Sequence, residues 1–310
     1  MRLFGRLLIL PMLAIVLVLG GAQVALAATP AFQYGAQEMA KLSTAHGGPN
    51  DMLGWSVAVS GDTAVIGSPN DADMGSRSGA AFVYTRSNGV WTQQAKLHSS
   101  HPLADDQFGW SVAISGDTAV VSAYAESAGG VAQAGYVYVF TRSNGVWTQQ
   151  AELANPSPVR YDFFGESVAL SGDTVVIGMT QQNNNNGAAY VFTRSGTTWT
   201  QRAELTASDG ASGDRFGGSV ALSGDTVVIG ARYANGGKGA AYVFTGSGAT
   251  WTQQTKFIDS AGVSGDDFGV SVALSGDTVV IGAPIDDGVG LLTGSAFVFT
   301  RTGTAWTQRA

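Results

Sequence analysis

The sequence has no cysteine, three histidines and only four lysines in 310 residues. Without cysteine there is no disulfide framework, so stability must come from a hydrophobic core, which a chain of this length can bury unaided. Sixteen basic residues against 23 acidic ones leave a formal charge of −7. That balance offers no footprint for nucleic acid or anionic lipid. His46, His98 and His101 fall ahead of the first two repeats described below. His98 and His101 with Asp105 and Asp106 are the one grouping that suggests a metal, and with no further ligand nearby they read as solvated loop residues. G-x-S-x-G, H-E-x-x-H and a phosphate-cradling glycine loop are missing too, so the common nucleophile, zinc and nucleotide chemistries have no motif to rest on.

Long apolar runs are equally scarce. One extends from Leu7 to about Leu19, behind Arg2 and Arg6 and ahead of Ala25-Leu26-Ala27. It is shorter than the roughly 20 residues that span a bilayer. A basic start and a small-x-small ending are the marks of a signal peptide, so residues 1–27 are expected to be cleaved after Ala27, leaving no membrane-inserted segment. The mature charge is then −9, since Arg2 and Arg6 leave with the leader. Export without cysteine suits a bacterial periplasmic, secreted or cell-surface protein.

What is abundant is glycine, 43 residues of it, and repetition. "LGWSVAVSGDTAVIGSP" from Leu53 returns as "FGWSVAISGDTAVVSAY" from Phe108 and "FGESVALSGDTVVIGMT" from Phe164. It returns again as "FGGSVALSGDTVVIGAR" from Phe216 and "FGVSVALSGDTVVIGAP" from Phe268. A period near fifty indicates a solenoid, propeller or array. Each repeat holds four strand-like runs; in the last they are "SVALS" (271–275), "TVVIGA" (278–283), "GSAFVFTR" (294–301) and "WTQRA" (306–310). They are rich in valine, aromatics and threonine, lack helical spacing, and are joined by tight Gly-bearing hairpins. The expected fold is all-β: a β-propeller of four-stranded antiparallel blades over residues 28–310, with about five blades. "QEMAKL" (37–42) looks like the fourth strand of a preceding repeat, and part of a seven-bladed ring is the alternative that the family resemblance given below implies. Trp91, Trp147, Trp199, Trp251 and Trp306 recur at one position and are expected to fill wedges between blades.

These residues resemble the bacterial FG-GAP repeat proteins, relatives of the integrin α-subunit β-propeller. "GDRFGGSVALSGDTVVIGA" followed by "GAAYVF" and "WTQ" carries the likeness, which runs from about Lys41 to Ala310. The resemblance implies a propeller and extracellular binding or adhesion. Calcium-binding members of the family carry several carboxylates in the hairpin between the first two strands. Here that hairpin is only Ser-Gly-Asp-Thr, with Asp62, Asp117, Asp173, Asp225 and Asp277. One carboxylate cannot supply the six to eight oxygens calcium prefers, so each is expected to bond nearby backbone amides. A second series, Asp51, Asp106, Asp162, Asp214 and Asp266, two residues before each Leu/Phe-Gly step, is expected to cap loops.

Antiparallel strands reverse at every turn, so the near-identical hairpins lie on one propeller face. The second-to-third loops and inter-blade links lie on the other, and these vary: "SPNDADMGSRSG", "AYAESAGGVAQAG", "MTQQNNNNG", "ARYANGGKG" and "APIDDGVGLLTG". Variable loops on a rigid scaffold are where binding residues gather. The candidates are Asp71, Asp73, Tyr124, Arg232, Tyr233, Asp286 and Asp287. No catalytic residue and no cofactor are expected. Calcium at Asp71 and Asp73, or at Asp286 and Asp287, is the alternative to a plain acidic loop. The expected function is a non-catalytic binding or adhesion module for an extracellular protein or carbohydrate. A propeller lyase or glycosidase and a purely structural surface protein are the alternatives.

Overall fold

The computed structural model describes residues 40–44, 47–286 and 293–309. The expected leader, the start of "QEMAKL", His46 and Asp287 lie outside them. Each repeat folds into one four-stranded antiparallel meander whose strands pair in chain order. Sheet 1 comprises Val57–Ser60, Thr63–Ser68, Ala80–Ser87 and Val90–Leu97. Sheet 2 comprises Phe108–Ser115, Thr118–Ala123, Tyr136–Ser143 and Val146–Leu153. Sheet 3 comprises Ser167–Ser171, Thr174–Met179, Ala188–Ser195 and Thr198–Leu205. Sheet 4 comprises Phe216–Ser223, Thr226–Ala231, Ala240–Ser247 and Thr250–Phe257. Sheet 5 comprises Ser271–Ser275, Thr278–Ala283, Ser295–Thr302 and Ala305–Gln308. The Ser-Gly-Asp-Thr turns join first to second strands, with glycine left-handed in all five (φ 54–58°). No helix among the described residues is long and apolar enough to cross a membrane.

The sheets stack as propeller-like blades, each against the next, with the first strand of one sheet packed on the first two strands of the sheet before it. Both faces of a central sheet are therefore covered, which is why its second strand is buried, at every residue in Thr118–Ala123 and Thr226–Ala231 and at all but Thr174 in Thr174–Met179. Among the described residues four apolar cores lie between consecutive sheets, and a fifth cluster, Ile66, Ala80, Phe82 and Tyr84 with Leu42, Leu53 and Trp91, lies on sheet 1. The core between sheets 2 and 3, for example, joins Val120, Val137 and Leu153 to Phe164, Ile177 and Tyr190. Phe108, Phe164, Phe216 and Phe268 are fully buried anchors of these cores. The sheets do not close into a ring: Val57 and Val59 of sheet 1 stay 69% and 67% exposed, and Val280 of sheet 5 stays 38% exposed.

The aspartates of the second series cap loops, as expected. Asp106, Asp162, Asp214 and Asp266 each accept an N–H from three residues earlier, at 2.5–2.8 Å. The turn aspartates do something different from the expectation. Four of the five carboxylates bond guanidinium groups of the third strand, not backbone amides: Asp62 to Arg86, Asp117 to Arg142, Asp173 to Arg194 and Asp277 to Arg301, all at 2.7 Å, while Asp225, with Gly246 at the arginine position, accepts from the Thr226 hydroxyl at 3.1 Å. The strand register carries each arginine back beside the turn, where a charged donor makes a stronger bond than an amide.

Candidate functional site

One position varies freely inside the repeated Leu/Phe-Gly-x-Ser-Val: Trp55, Trp110, Glu166, Gly218 and Val270. It stands where the chain enters the first strand, at the end opposite the Ser-Gly-Asp-Thr turns. Two further positions come to the same end. One is the residue just past the second strand in the variable loop, such as Tyr124, Thr180 or Arg232. The other immediately precedes the Leu/Phe-Gly step: Met52, Gln107, Phe163, Arg215 and Asp267, left-handed in every repeat (φ 54–61°). A non-glycine residue pays about 1 kcal/mol or more for that conformation, and strain kept at one position in all repeats is characteristic of sites that must aim a side chain.

On sheets 1 to 3 these positions build a continuous aromatic run. Trp55 meets Trp110 at 4.8 Å between ring centroids, and Trp110 stacks on Tyr124 at 4.2 Å with planes 25° apart. Tyr124 meets Phe163 at 5.2 Å, and Phe163 meets Tyr161 at 6.2 Å. Arg160 covers Tyr161 at 4.6 Å. Trp55 and Tyr161, at the two ends, are 46% and 41% exposed.

The run gives way to a charged notch on sheets 3 to 5. Glu166, whose N–H bonds Phe163 O at 3.1 Å, lines a cavity of about 40 Å³ with Thr180, Arg215, Gly218, Arg232, Gly269 and Val270. The Thr180 hydroxyl donates to the Glu166 carboxylate. Burial holds the Glu166 carboxyl above its usual range, while Thr180, Arg215 and Arg232 pull the other way. Arg215 and Arg232 also lie over the half-exposed Tyr233, at 5.3 and 4.7 Å from its centroid. Burial raises the Tyr124 phenol as well, Glu166 adds to the rise, and Arg77 opposes it. The two halves thus share one electrostatic neighbourhood.

The seven candidates from the sequence divide. Tyr124, Arg232 and Tyr233 come together here. Asp71 and Asp73 do not: Lys96 from the fourth strand grips Asp71 at 2.8 Å and Asp73 at 2.5 Å, so both carboxylates are engaged by one ammonium. Asp286 lies at the outer side of sheet 5, and Asp287 is outside the described residues. His98 bonds the Ser99 carbonyl and His101 lies 3.7 Å from Glu152, so the histidines do not join Asp105 and Asp106. Sequence reasoning missed Trp55, Trp110, Glu166, Phe163 and Arg215.

The FG-GAP repeat family model matches residues 36–84, 91–140, 147–192, 199–244 and 251–299, one match per sheet and more than half of the chain. The chain belongs to the FG-GAP repeat family. No curated protein matches it. The FG-GAP signature itself has a packing explanation here. A Cβ on Gly230 would come within 1.9 Å of Gly269 O, and one on Gly178 within 2.0 Å of Gly217 O. At three of the four junctions the FG-GAP sheets therefore touch backbone to backbone, where the Phe-Gly of one meets the second-strand glycine of the sheet before it; at the fourth, Ser122 takes the glycine's place against Gly165. That contact places the variable letter after Phe-Gly at the site.

Proposed function

We propose that this FG-GAP protein is an exported, non-catalytic binding or adhesion module that takes its ligand on the face bearing the variable loops. One observation carries the reading: the aromatic run from Trp55 to Tyr161 adjoins the Glu166–Arg215–Arg232 notch. Flat π-faces bind the apolar faces of sugar rings or of other planar groups, and a few convergent polar groups fix orientation. An extracellular carbohydrate chain fits this arrangement. Its rings would lie along the aromatics, while a carboxylate or hydroxyl substituent would enter the small notch between the two guanidiniums.

Glu166 favours one second reading, since a carboxyl with a raised pKa in a cleft is a feature of catalytic acids. Glycoside cleavage generally uses two carboxyl groups, and among the described residues Glu166 is the only one lining the notch. A glycan array probed with the exported chain, followed by calorimetric titration of the hits, tests the proposal. Binding should fall at least about tenfold in Trp110→Ala, a loss in line with an aromatic anchor, and it should persist in Glu166→Gln without release of product. Product release that Glu166→Gln abolishes would establish the enzyme instead. Binding to no glycan would remove the carbohydrate from the proposal.

A further inference from the structure

The arginines of this chain divide by partner. Arg86, Arg142, Arg194 and Arg301 bond turn aspartates, and Arg77 bonds Asp105. Arg202 and Arg309 each donate to a third-strand threonine, at 2.9 and 2.7 Å. Among the described residues, the guanidiniums of Arg160, Arg215 and Arg232 make no hydrogen bond and no ion pair, and each lies over a tyrosine ring. All three stand on the face bearing the variable loops. Arg160 ends the aromatic run, and the other two line the notch with Glu166. A chain of net charge −7 thus gathers its unpaired guanidiniums at one place. Arg215 and Arg232 are half-buried, and cations withdrawn from water without a counter-ion are costly. A bound anion would remove that cost.

Glu166 opposes such a ligand while it is ionised, because a carboxylate in the notch repels an incoming anion. A proton resolves the conflict. Thr180, 1% exposed, donates its hydroxyl to Glu166 Oε2, and among the described residues Oε1 accepts no hydrogen bond. Protonated there, Glu166 becomes a donor to the anion instead of a repelling charge. The groups facing Glu166 are Thr180 from the sheet 3 loop, Arg215 from the link between sheets 3 and 4, Arg232 from the sheet 4 loop and Tyr124 from the sheet 2 loop. Gly218, Gly269 and Val270, where sheets 4 and 5 begin, bring no charge. Burial already holds the Glu166 carboxyl above its usual range, against the pull of Thr180, Arg215 and Arg232. An anion in the notch would offset the charge of both arginines and add its own, and both changes favour the proton.

We propose that the notch receives an anionic group of a sugar, a carboxylate or a sulfate ester, and that Glu166 takes up a proton from solvent as this group binds. The inference rests on the carbohydrate reading above and narrows it to acidic sugars. The guanidiniums hold the anion by charge-assisted hydrogen bonds. The proton goes onto Oε1 of Glu166, and apart from that O–H bond no covalent bond forms or breaks. The sign follows from linkage. Affinity is highest where Glu166 is protonated before the ligand arrives. It falls as pH rises between the pKa of the free site and that of the occupied one, by up to about tenfold per pH unit for one proton.

The test is calorimetric titration of the exported chain with an oligogalacturonate, its neutral methyl ester and a sulfated oligosaccharide of equal length. Titrations run from about pH 5 to about pH 8, where the sugar acids stay ionised, in two buffers of different ionisation enthalpy. At the acid end we expect an acidic oligomer to bind about tenfold or more tighter than the neutral one. Its affinity should fall toward pH 8, with proton uptake approaching about one per ligand. Either acidic oligomer satisfies the proposal, and the tighter of the two names the group. Glu166→Gln, which carries no ionisable group there, should bind the acidic oligomer with a flat pH profile and no proton uptake. The two-buffer measurement on the unaltered chain decides the matter if that variant does not fold. Equal affinity for acidic and neutral oligomers would overturn the inference and leave the carbohydrate reading standing, whereas binding of no oligomer would overturn both. Acidic binding without proton uptake, or uptake that persists in folded Glu166→Gln, would also overturn the inference.

Discussion

The guanidinium of Arg194 lies 5.2 Å from the centroid of the Trp199 ring while its Nε donates to Asp173 at 2.7 Å. The same arginine reaches Thr118 of the preceding sheet at 3.0 Å, and Trp199 Nε1 donates to Gln150 of that sheet, also at 3.0 Å. The turn aspartate thus orients an arginine, the arginine covers a tryptophan, and both clasp the neighbouring blade. Arg142 with Trp147 repeats the arrangement on Thr63 and Gln94.

Removing the ring should cost much more than removing the charge. Trp199 packs against the core between sheets 2 and 3, so Trp199→Ala is expected to lose about 3 kcal/mol in chemical denaturation. The Asp173 side chain is 65% exposed, and Asp173→Asn should lose under about 1 kcal/mol. A tryptophan variant as stable as the parent but defective in ligand binding would make this series a binding platform.

Two glycines of sheet 4 separate packing from backbone strain. Gly224, in the Ser-Gly-Asp-Thr turn, has φ of +58° and open space where a Cβ would project. Gly224→Ala should cost roughly 1 kcal/mol, from the left-handed conformation alone. Gly230 has ordinary φ, but its Cβ would overlap the Gly269 carbonyl of sheet 5, and that backbone cannot yield without parting two sheets. Gly230→Ala is expected to cost about 3 kcal/mol or more. Equal losses in thermal melts of the two variants would mean that the contact between sheets is looser than described.

Glu126 gives the stability a pH dependence. Burial against sheet 2, with Asp106 and Glu152 adding to it, raises the carboxyl from 4.5 to about 8, although the Tyr138 hydroxyl pulls it down. The folded chain therefore holds a proton that the unfolded chain releases, so stability from this group falls as pH rises from about 4.5 through 8. Asp106, raised by burial to about 6, acts in the same direction at lower pH. Glu126→Gln should match the parent in melts near pH 4.5 and exceed it at pH 8.5. A variant no more stable than the parent at pH 8.5 would show that the carboxylate finds a partner when ionised.

The architecture was legible because each strand run and hairpin recurs five times, which fixes period and turn chemistry together. The loop-capping aspartates were legible for the same reason, since each bonds an amide three residues away. Partners set by strand register were harder to see. Lys96 reaches Asp71 only because the fourth strand runs back past the second-to-third loop, and the arginines reach the turn aspartates by the same reversal. Trp55, Trp110 and Glu166 were hidden by their surroundings, each being one changed letter inside the most repetitive stretch of the chain. Comparing that single column across the repeats (Trp, Trp, Glu, Gly, Val) is the signal that points to the site.

The aromatic run also predicts a division of labour along the binding face. Trp55 is 46% exposed and lies on sheet 1, so Trp55→Ala should leave the fold intact, within about 0.5 kcal/mol as for other surface substitutions. Its effect on affinity should grow with ligand length: a ligand short enough to occupy only Tyr124 and the notch would lose nothing, and a longer one would lose the stacking contribution. Arg232→Ala should show the opposite pattern. It should weaken short and long ligands alike when they bear an anionic substituent, and neutral ligands little, because a charged donor is lost only where there is charge to meet. Titrations of a graded ligand series against both variants, with melts as the folding control, provide the measurement. If Trp55→Ala weakened the shortest ligand as much as the longest, or Arg232→Ala failed to discriminate charged from neutral ligands, the ligand would not lie along this axis.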